Sequence, residues 1–112
     1  MNPTLAEGDA VLIHKTGKQR NREDIIVFEK DGTMMIKRIV GIPNDVVTLS
    51  KEGVRINQAI VKPYTYEGEA VQYVLAENEY FVIGDNYMVS LDSREYGPVS
   101  EEMIVGKVIW MP

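Results

Sequence analysis

One lysine stands in a strongly apolar stretch and is the residue of this sequence best suited to acid–base chemistry. Lys37 lies in residues 34–45, MMIKRIVGIPND. Alternate residues of a strand share a face, so Lys37 points with Met35 and Ile39. The opposite face carries Met34, Ile36, Arg38 and Val40. A lysine among apolar side chains loses hydration, which lowers its pKa and can leave a neutral amine able to accept a proton. Lys37 is therefore a candidate general base.

The pattern around Lys37 leaves two environments open. Lysines on strands commonly lay their methylene groups on apolar neighbours and keep the ammonium in water. A buried, neutral amine would instead need a polar partner that orients it. Residues 84–97, GDNYMVSLDSREYG, follow a predicted strand. Taken alone, they are compatible with a polar turn closed by an ion pair between Asp92 and Arg94.

Length and composition describe one globular domain and exclude several kinds of site. The chain has 112 residues, of which 45% are hydrophobic and 26% charged, and this is sufficient for a single core. A net charge of -5 with interspersed signs argues against nucleic-acid binding. With no cysteine and one histidine, His14, the sequence offers no thiol nucleophile and no histidine-rich metal site. We expect no metal or organic cofactor to be needed, and we expect His14 to lie at the surface.

The apolar runs are short and are separated by turn residues, which predicts an all-β fold: a single compact domain of mostly antiparallel short strands with little helix. Strands are predicted at residues 10–15, 24–29, 34–40, 46–50, 54–57, 58–62, 72–75, 80–83 and 103–110. Asp31 and Gly32 predict a tight hairpin turn, and asparagine at position 44 is of a residue type that tolerates a left-handed conformation. Ser100 is expected to cap one helical turn within residues 98–102.

Five stretches, taken in order, resemble the type I signal peptidases of bacteria. They are M-x-P-T-L followed by G-D at residues 1–9, D-I-I-V-F at 24–28, K-R-I-V-G-I-P-x-D at 37–45, G-D-N-x-x-x-S-x-D-S-R at 84–94 and I-V-G-K-V at 104–108. The resemblance is to the short, Gram-positive-like form of the family. It implies a signal-peptidase and repressor-protease-like β-fold. It also implies one catalytic domain over residues 1–112, with a short variable insertion at about residues 46–79.

The resemblance also implies roles for individual residues. Lys37 would be the general base, and the Ser90 hydroxyl would orient its amine. The residues that support the site would be Arg38, Asp85, Asn86, Asp92, Ser93 and Arg94. Substrate would be bound by Met1, Leu5, Met34, Met35 and Ile36, with the peptide lying as an added strand beside residues 34–37. The nucleophilic serine of the family immediately precedes the methionine that Met1 matches, so we expect it just outside this sequence.

The function implied by the resemblance is that of a serine endopeptidase with a Ser–Lys dyad, which removes N-terminal signal peptides from exported proteins. Its partners would be preproteins with small residues before the cleavage site. The sequence contains no run of about 20 apolar residues that could span a bilayer. The resemblance therefore implies a membrane anchor upstream of this chain, with the catalytic domain on the extracytoplasmic side.

Two other functions are compatible with parts of the pattern. The first is that of a catalytically inactive signal-peptidase-like protein, which binds peptides or assists pilus assembly in Gram-positive bacteria. Retention of Lys37 speaks against it, because an inactive site has no need of a buried amine. The second is that of a self-cleaving repressor, which shares the serine–lysine chemistry. The Pro-Thr-Leu and Gly-Asp-Asn motifs fit a repressor poorly, and a repressor would need a DNA-binding domain upstream.

Overall fold

The structure, a computed structural model, describes residues 12–14, 20–85 and 91–110. Its strands are β1 (Leu12–His14), β2 (Ile25–Lys30), β3 (Thr33–Gly41), β4 (Val46–Ser50), β5 (Gly53–Ile56), β6 (Ala59–Val61), β7 (Val71–Val74), β8 (Glu79–Ile83), β9 (Val99–Ser100) and β10 (Ile104–Trp110). A one-turn helix, α1, spans Ser93–Tyr96, and a 3-10 turn spans Glu101–Met103. The predicted all-β fold with little helix is confirmed.

The strands form two antiparallel sheets. One has the order β1-β10-β2-β3-β8-β9, and the other has the order β6-β5-β4-β7. The chain leaves the first sheet after β3, builds the second sheet with β4 to β7, and returns as β8 beside β3. The second sheet thus lies within residues 46–79, the segment that the sequence analysis assigned to a variable insertion. Its variability within the family stays a prediction.

Two hairpin turns fix the register of neighbouring strands. Asp31 and Gly32 have φ values of 52° and 79°, so β2 and β3 are joined by the predicted two-residue turn. Asn57 and Gln58 have φ values of 51° and 75° and join β5 to β6 in the same way. The sequence predicts strands at both of these residues, because only asparagine of the pair signals a left-handed conformation. Asn44, whose residue type tolerates a left-handed conformation, has a φ of 75°.

The two faces of the six-stranded sheet bury different apolar clusters. One cluster contains Val40, Val47, Leu49, Val54, Ile56, Leu75, Phe81 and Ile83, and it joins the two sheets. The other contains Ile26, Phe28, Ile39, Tyr80, Val82 and Val99 and lies on the opposite face. Tyr64, Tyr66 and Tyr73 pack against the first cluster. A Cβ at Gly41 would lie 3.0 Å from Leu75 Cδ1, which shows how closely the sheets approach there.

The C-terminal part of the chain differs from the prediction in detail. Ser100 does precede a single helical turn, but the turn is a 3-10 turn and the Ser100 side chain makes no capping hydrogen bond. Ser100 pairs with β8 as part of β9 instead. The backbone N–H of Glu101 donates to the Asn78 carbonyl at 2.7 Å, so a contact distant in sequence replaces the expected cap. In the described part of the chain, no helix is both long and apolar enough to cross a membrane.

Candidate active site

Lys37 lies on the face of the six-stranded sheet that carries the cluster of Ile26, Phe28 and Ile39. Its Cα partner in β2 is Ile26, and its neighbours on the same face of β3 are Met35 and Ile39. The Lys37 side chain is partly buried, and this burial lowers its pKa from the ordinary value of 10.5. The negative charge of Asp92 opposes the shift, and the positive charge of Arg94 adds to it. The structure therefore favours a desolvated amine over the fully solvated alternative.

The strand that carries Lys37 has one edge only partly covered. Along one side, β2 pairs with β3 from Thr33 to Arg38. Along the other side, β8 pairs only with Arg38, Ile39 and Gly41. No strand of residues 12–14, 20–85 and 91–110 pairs with residues 33–37 on that second side. This section of β3 can therefore receive another extended chain by backbone pairing.

Backbone hydrogen bonds identify the residues that face the uncovered edge. Ile39 N–H donates to the Asp24 carbonyl, and Ile39 C=O accepts from Glu23 N–H, both at 2.8 Å. The backbone groups of Ile39 thus point away from β8. Because these groups alternate in direction along a strand, those of Met34 and Ile36 point to the uncovered edge. The side chain of Met35, between them, lies on the same face as Lys37.

Asp92 and Ser93 fasten α1 to the outer edge of β8. The carboxylate of Asp92 is fully buried and accepts from Gly84 N–H at 3.1 Å and from Arg94 Nε and Nη2 at 2.9 and 2.8 Å. The Ser93 hydroxyl oxygen accepts from Val82 N–H at 2.9 Å. Since β9 pairs with β8 only at Glu79 and Tyr80, these side chains satisfy N–H groups that β9 does not reach. The Asp92 and Ser93 side chains therefore take the place of a paired strand along this part of β8.

Arg38 and Asp85 form a second ion pair on the face of β3 opposite Lys37. Arg38 donates from Nε to one carboxylate oxygen of Asp85 at 2.9 Å and from Nη2 to the other at 2.8 Å. The hydrogen bond that Arg38 donates to Asp85 raises the pKa of Arg38, and the charge of Asp85 raises it further. A third bond, at 2.9 Å, runs from Arg38 Nη1 to the Glu23 carbonyl. This ion pair joins β3 to the chain just after β8.

Tyr96, the last residue of α1, is a neighbour of the site that the sequence analysis missed. It packs against the cluster on the Lys37 face, and its hydroxyl lies 3.7 Å from Met35 Sδ. Burial, followed by the charge of Asp92, raises the pKa of Tyr96. A signal for α1 was present, because Asp92 is its N-cap and Gly97, with φ 82°, is its C-cap. Residues 84–97 were nevertheless interpreted as a loop without a helix.

The predicted site residues fall into three groups. Lys37 and Met35 share one face of β3, Asp92 and Arg94 act on Lys37 through their charges, and Ser93 is bonded to β8 beside Asp92. Arg38, Asp85, Ile36 and the exposed Met34 belong to the opposite face or its border. Met1, Leu5, Asn86 and Ser90 lie outside the described residues. Within the described ranges, no three acidic, histidine or cysteine side chains are arranged to hold a metal ion.

An uncovered strand edge beside a desolvated amine is suited to a hydrolase that binds extended peptides. The family model for signal peptidases (signal peptidase, peptidase S26) matches residues 1–111. Signal peptidase I V of Bacillus subtilis (strain 168) is 29% identical over 96% of this chain and 77% of the relative. Signal peptidase I U of the same strain is 33% identical, with 95% and 67% covered. The chain belongs to the signal peptidase family.

A solved structure agrees with this assignment. The crystal structure of a signal peptidase I from Enterococcus faecalis V583 matches with a TM-score of 0.63 and 26% identity, covering 83% of this chain and 98% of that one. The family, the fold and the signal peptidase activity predicted from the sequence are therefore confirmed. The roles of the individual residues, including the Ser–Lys dyad, stay predictions.

Proposed function

We propose that Lys37 is the general base of a Ser–Lys dyad that cleaves signal peptides, and that the nucleophile is a serine encoded immediately before position 1. The observation that carries this proposal is the partly buried Lys37 amine on a strand whose adjacent edge is uncovered. Burial lowers the pKa of Lys37, and a neutral amine can accept a proton. The uncovered edge can hold the peptide next to that amine.

The chemistry follows from these two features. The neutral Lys37 amine takes the proton of the serine hydroxyl as the serine oxygen bonds to the scissile carbonyl carbon. The carbon–nitrogen bond then breaks, and the proton passes from Lys37 to the leaving amine. In the second half of the reaction Lys37 takes a proton from water, whose oxygen attacks the acyl ester. The bond between the acyl carbon and the serine oxygen then breaks, and Lys37 returns its proton to that oxygen, which restores the neutral amine.

The substrate is an extended peptide that pairs with Met34 and Ile36 through their backbone groups. A side chain of that peptide on the Lys37 face contacts Met35. Met35 limits the space there, so this position accepts small residues such as alanine. Ser90 hydrogen-bonds the Lys37 amine and orients it, because a hydroxyl can do so without restoring the charge that a carboxylate would favour. The residues that support the site are Arg38, Asp85, Asn86, Asp92, Ser93 and Arg94.

We further propose that the protein acts on preproteins at the cell membrane, with this domain on the extracytoplasmic side. An anchor upstream of position 1 would hold the domain there. The proposal rests on membership of the signal peptidase family. It also accords with a site built for an unfolded, extended substrate, which is the state of a signal-peptide junction during export. Neither a metal nor another cofactor has a part in this chemistry.

The test is cleavage of a peptide with an Ala-x-Ala junction by the native protein, including the residue before position 1. Lys37→Ala should lower kcat/KM about 1,000-fold, because it removes the general base. Ser90→Ala should lower it by less, since the base remains but is less well oriented. Lys51→Ala is the matched control, because Lys51 is exposed in the turn between β4 and β5, and it should leave cleavage unchanged.

Full activity of the Lys37→Ala protein would refute the dyad. The native protein could also carry a serine before position 1 and still fail to cleave the junction while binding the peptide. That result would instead identify an inactive accessory protein.

A further inference from the structure

Tyr96 lies where it can control the shape of the peptide site. The Cα partner of Met35 in β2 is Phe28, and Lys30 follows two residues later on the same strand. The Tyr96 hydroxyl is 3.7 Å from Met35 Sδ, and the Lys30 ammonium nitrogen is 5.0 Å from the centre of the Tyr96 ring. The ring is thus held between the end of the β2–β3 hairpin and the thioether of Met35.

The helix that carries Tyr96 is bonded to β8 near its N-terminus. Its N-cap residue, Asp92, has a fully buried carboxylate, and the Ser93 hydroxyl accepts from Val82 N–H of β8. At the other end of the helix, Gly97 N–H donates to the Ser93 carbonyl at 2.8 Å. The lysine above the ring adds a cation–π contact. A tyrosine held in this way keeps its hydroxyl at a fixed point.

Met35 needs such a constraint if the site is to select by size. Methionine has three rotatable side-chain bonds and a polarisable sulfur, so it adapts readily to the shape of a ligand. A methionine free to swing aside would admit large side chains beside Lys37. A hydroxyl at the sulfur favours one rotamer and keeps the space small.

We propose that Tyr96 is a specificity-determining residue, which positions the Met35 thioether and so restricts the substrate side chain beside Lys37 to small residues. This inference rests on the proposed function, because it takes the uncovered edge of β3 as the peptide site. Tyr96 has no part in bond breaking. It acts through Met35, and its contribution is therefore to selectivity rather than to the chemical step.

The test compares two peptides that differ only in the residue before the cleaved bond, alanine in one and leucine in the other. In the native protein, Tyr96→Phe removes the hydroxyl but keeps the ring, and so spares the packing. We expect the ratio of kcat/KM for alanine over leucine to fall about tenfold, the scale at which hydrophobic pockets discriminate by size. Tyr66→Phe is the matched control, because Tyr66 packs in the other cluster and donates to the Glu69 carbonyl. It should leave the ratio unchanged.

A second background isolates the contact with sulfur. Met35→Leu removes the acceptor, so Tyr96→Phe should change the ratio far less in that background than in the native one. An unchanged ratio of kcat/KM in the Tyr96→Phe protein would overturn the inference, whether neither value changes or both fall equally. Either result, in an enzyme that still depends on Lys37, would leave the dyad standing. Activity that survives Lys37→Ala would refute the dyad itself.

Discussion

At the scale of the residue, the site depends on how charge and burial are balanced around Lys37. Burial lowers the pKa of its amine, Asp92 raises it, and Arg94 lowers it. Asp92 and Arg94 form a bidentate ion pair with each other, so much of their effect on Lys37 cancels. Burial therefore remains the largest influence on the pKa of Lys37. A change to either member of the pair should alter the pKa of the base.

The substitution Arg94→Gln tests this balance. Without Arg94, the negative charge of Asp92 acts on Lys37 unopposed and raises its pKa. Because the neutral amine is the active form, kcat/KM rises as pH increases through that pKa, so the rise should move to higher pH in the variant. The measurement is kcat/KM against pH. Arg55→Gln, in β5 of the other sheet, is the control. A rise that stays in place or moves to lower pH would contradict the prediction.

The candidate base was predictable from the sequence because its signal is local. A lysine between Met35 and Ile39 on an alternating strand identifies both its face and its neighbours. Tyr96 was not predictable in the same way. Its contact with Met35 spans 61 positions, and nothing in the local sequence indicates which strand a tyrosine in a one-turn helix will meet. Long-range packing, rather than propensity, places it.

At the scale of the element, α1 and β8 are joined by side chains instead of a strand. Asp92 supplies the acceptor for Gly84 N–H and also holds the Arg94 side chain, of which only 9% is exposed. Loss of this carboxylate would remove the acceptor of the Gly84 N–H and the ion pair of the Arg94 guanidinium.

We expect Asp92→Ala to lower the free energy of unfolding by about 4 kcal/mol, because it leaves a largely buried cation without its carboxylate. Urea unfolding followed by circular dichroism measures the change. Glu95→Ala, an exposed substitution in the same helix, should change it by less than about 0.5 kcal/mol. A loss of less than about 1 kcal/mol for Asp92→Ala would show that this carboxylate does not hold the helix in place.

Most strands and the turn between β2 and β3 were predictable, since Asp-Gly and alternating apolar residues are strong local signals. Ser100 is the N-cap residue of the 3-10 turn, as predicted, but its side chain makes no capping hydrogen bond. Ser100 instead pairs with Glu79 as part of β9, and Glu101 N–H donates to the Asn78 carbonyl. The elements that depend on a distant partner are those that the sequence did not specify.

At the scale of the whole molecule, Asp45 joins the two sheets. Its carboxylate accepts hydrogen bonds from Ile42 N–H at 2.9 Å, Asn57 Nδ2 at 2.9 Å and Arg22 Nη2 at 2.7 Å. Its carbonyl accepts from Leu75 N–H at 2.9 Å. Burial alone would raise the pKa of Asp45, but these hydrogen bonds outweigh it and the pKa is lowered. The ionised carboxylate therefore stabilises the fold.

This linkage gives Asp45→Asn a pH-dependent effect. Because the pKa of the folded state lies below the ordinary 3.8, the stabilisation is present above that value and is lost as pH falls through the folded pKa. We expect the variant to be less stable at pH 7 by about 2 kcal/mol, the scale of hydrogen bonds to a charged group. The difference should shrink at acid pH. Asp31→Asn, in an exposed turn, is the control. A difference that is equal at pH 7 and at pH 2 would contradict the linkage.

The division into two sheets was not predictable from residue patterns. Every strand from β2 to β8 reads as part of one antiparallel series, and nothing local reveals that β8 returns to β3 while β4 to β7 form a separate sheet. This topology leaves residues 33–37 of β3 without a partner strand on one side among the described residues. The proposed peptide site is thus a consequence of the strand order rather than of any single motif.

NMR titration of this chain would measure the pKa of the partly buried Lys37 amine. Lysine side chains labelled with carbon-13 at Cε would be followed against pH, and Lys37→Arg would assign the Lys37 signal. We expect Lys37 to titrate below 10.5, the ordinary value for lysine, because partial burial disfavours the charged form. A midpoint at or above 10.5 would show that the negative charge of Asp92 outweighs burial and that the amine stays charged, which would rule against Lys37 as the general base.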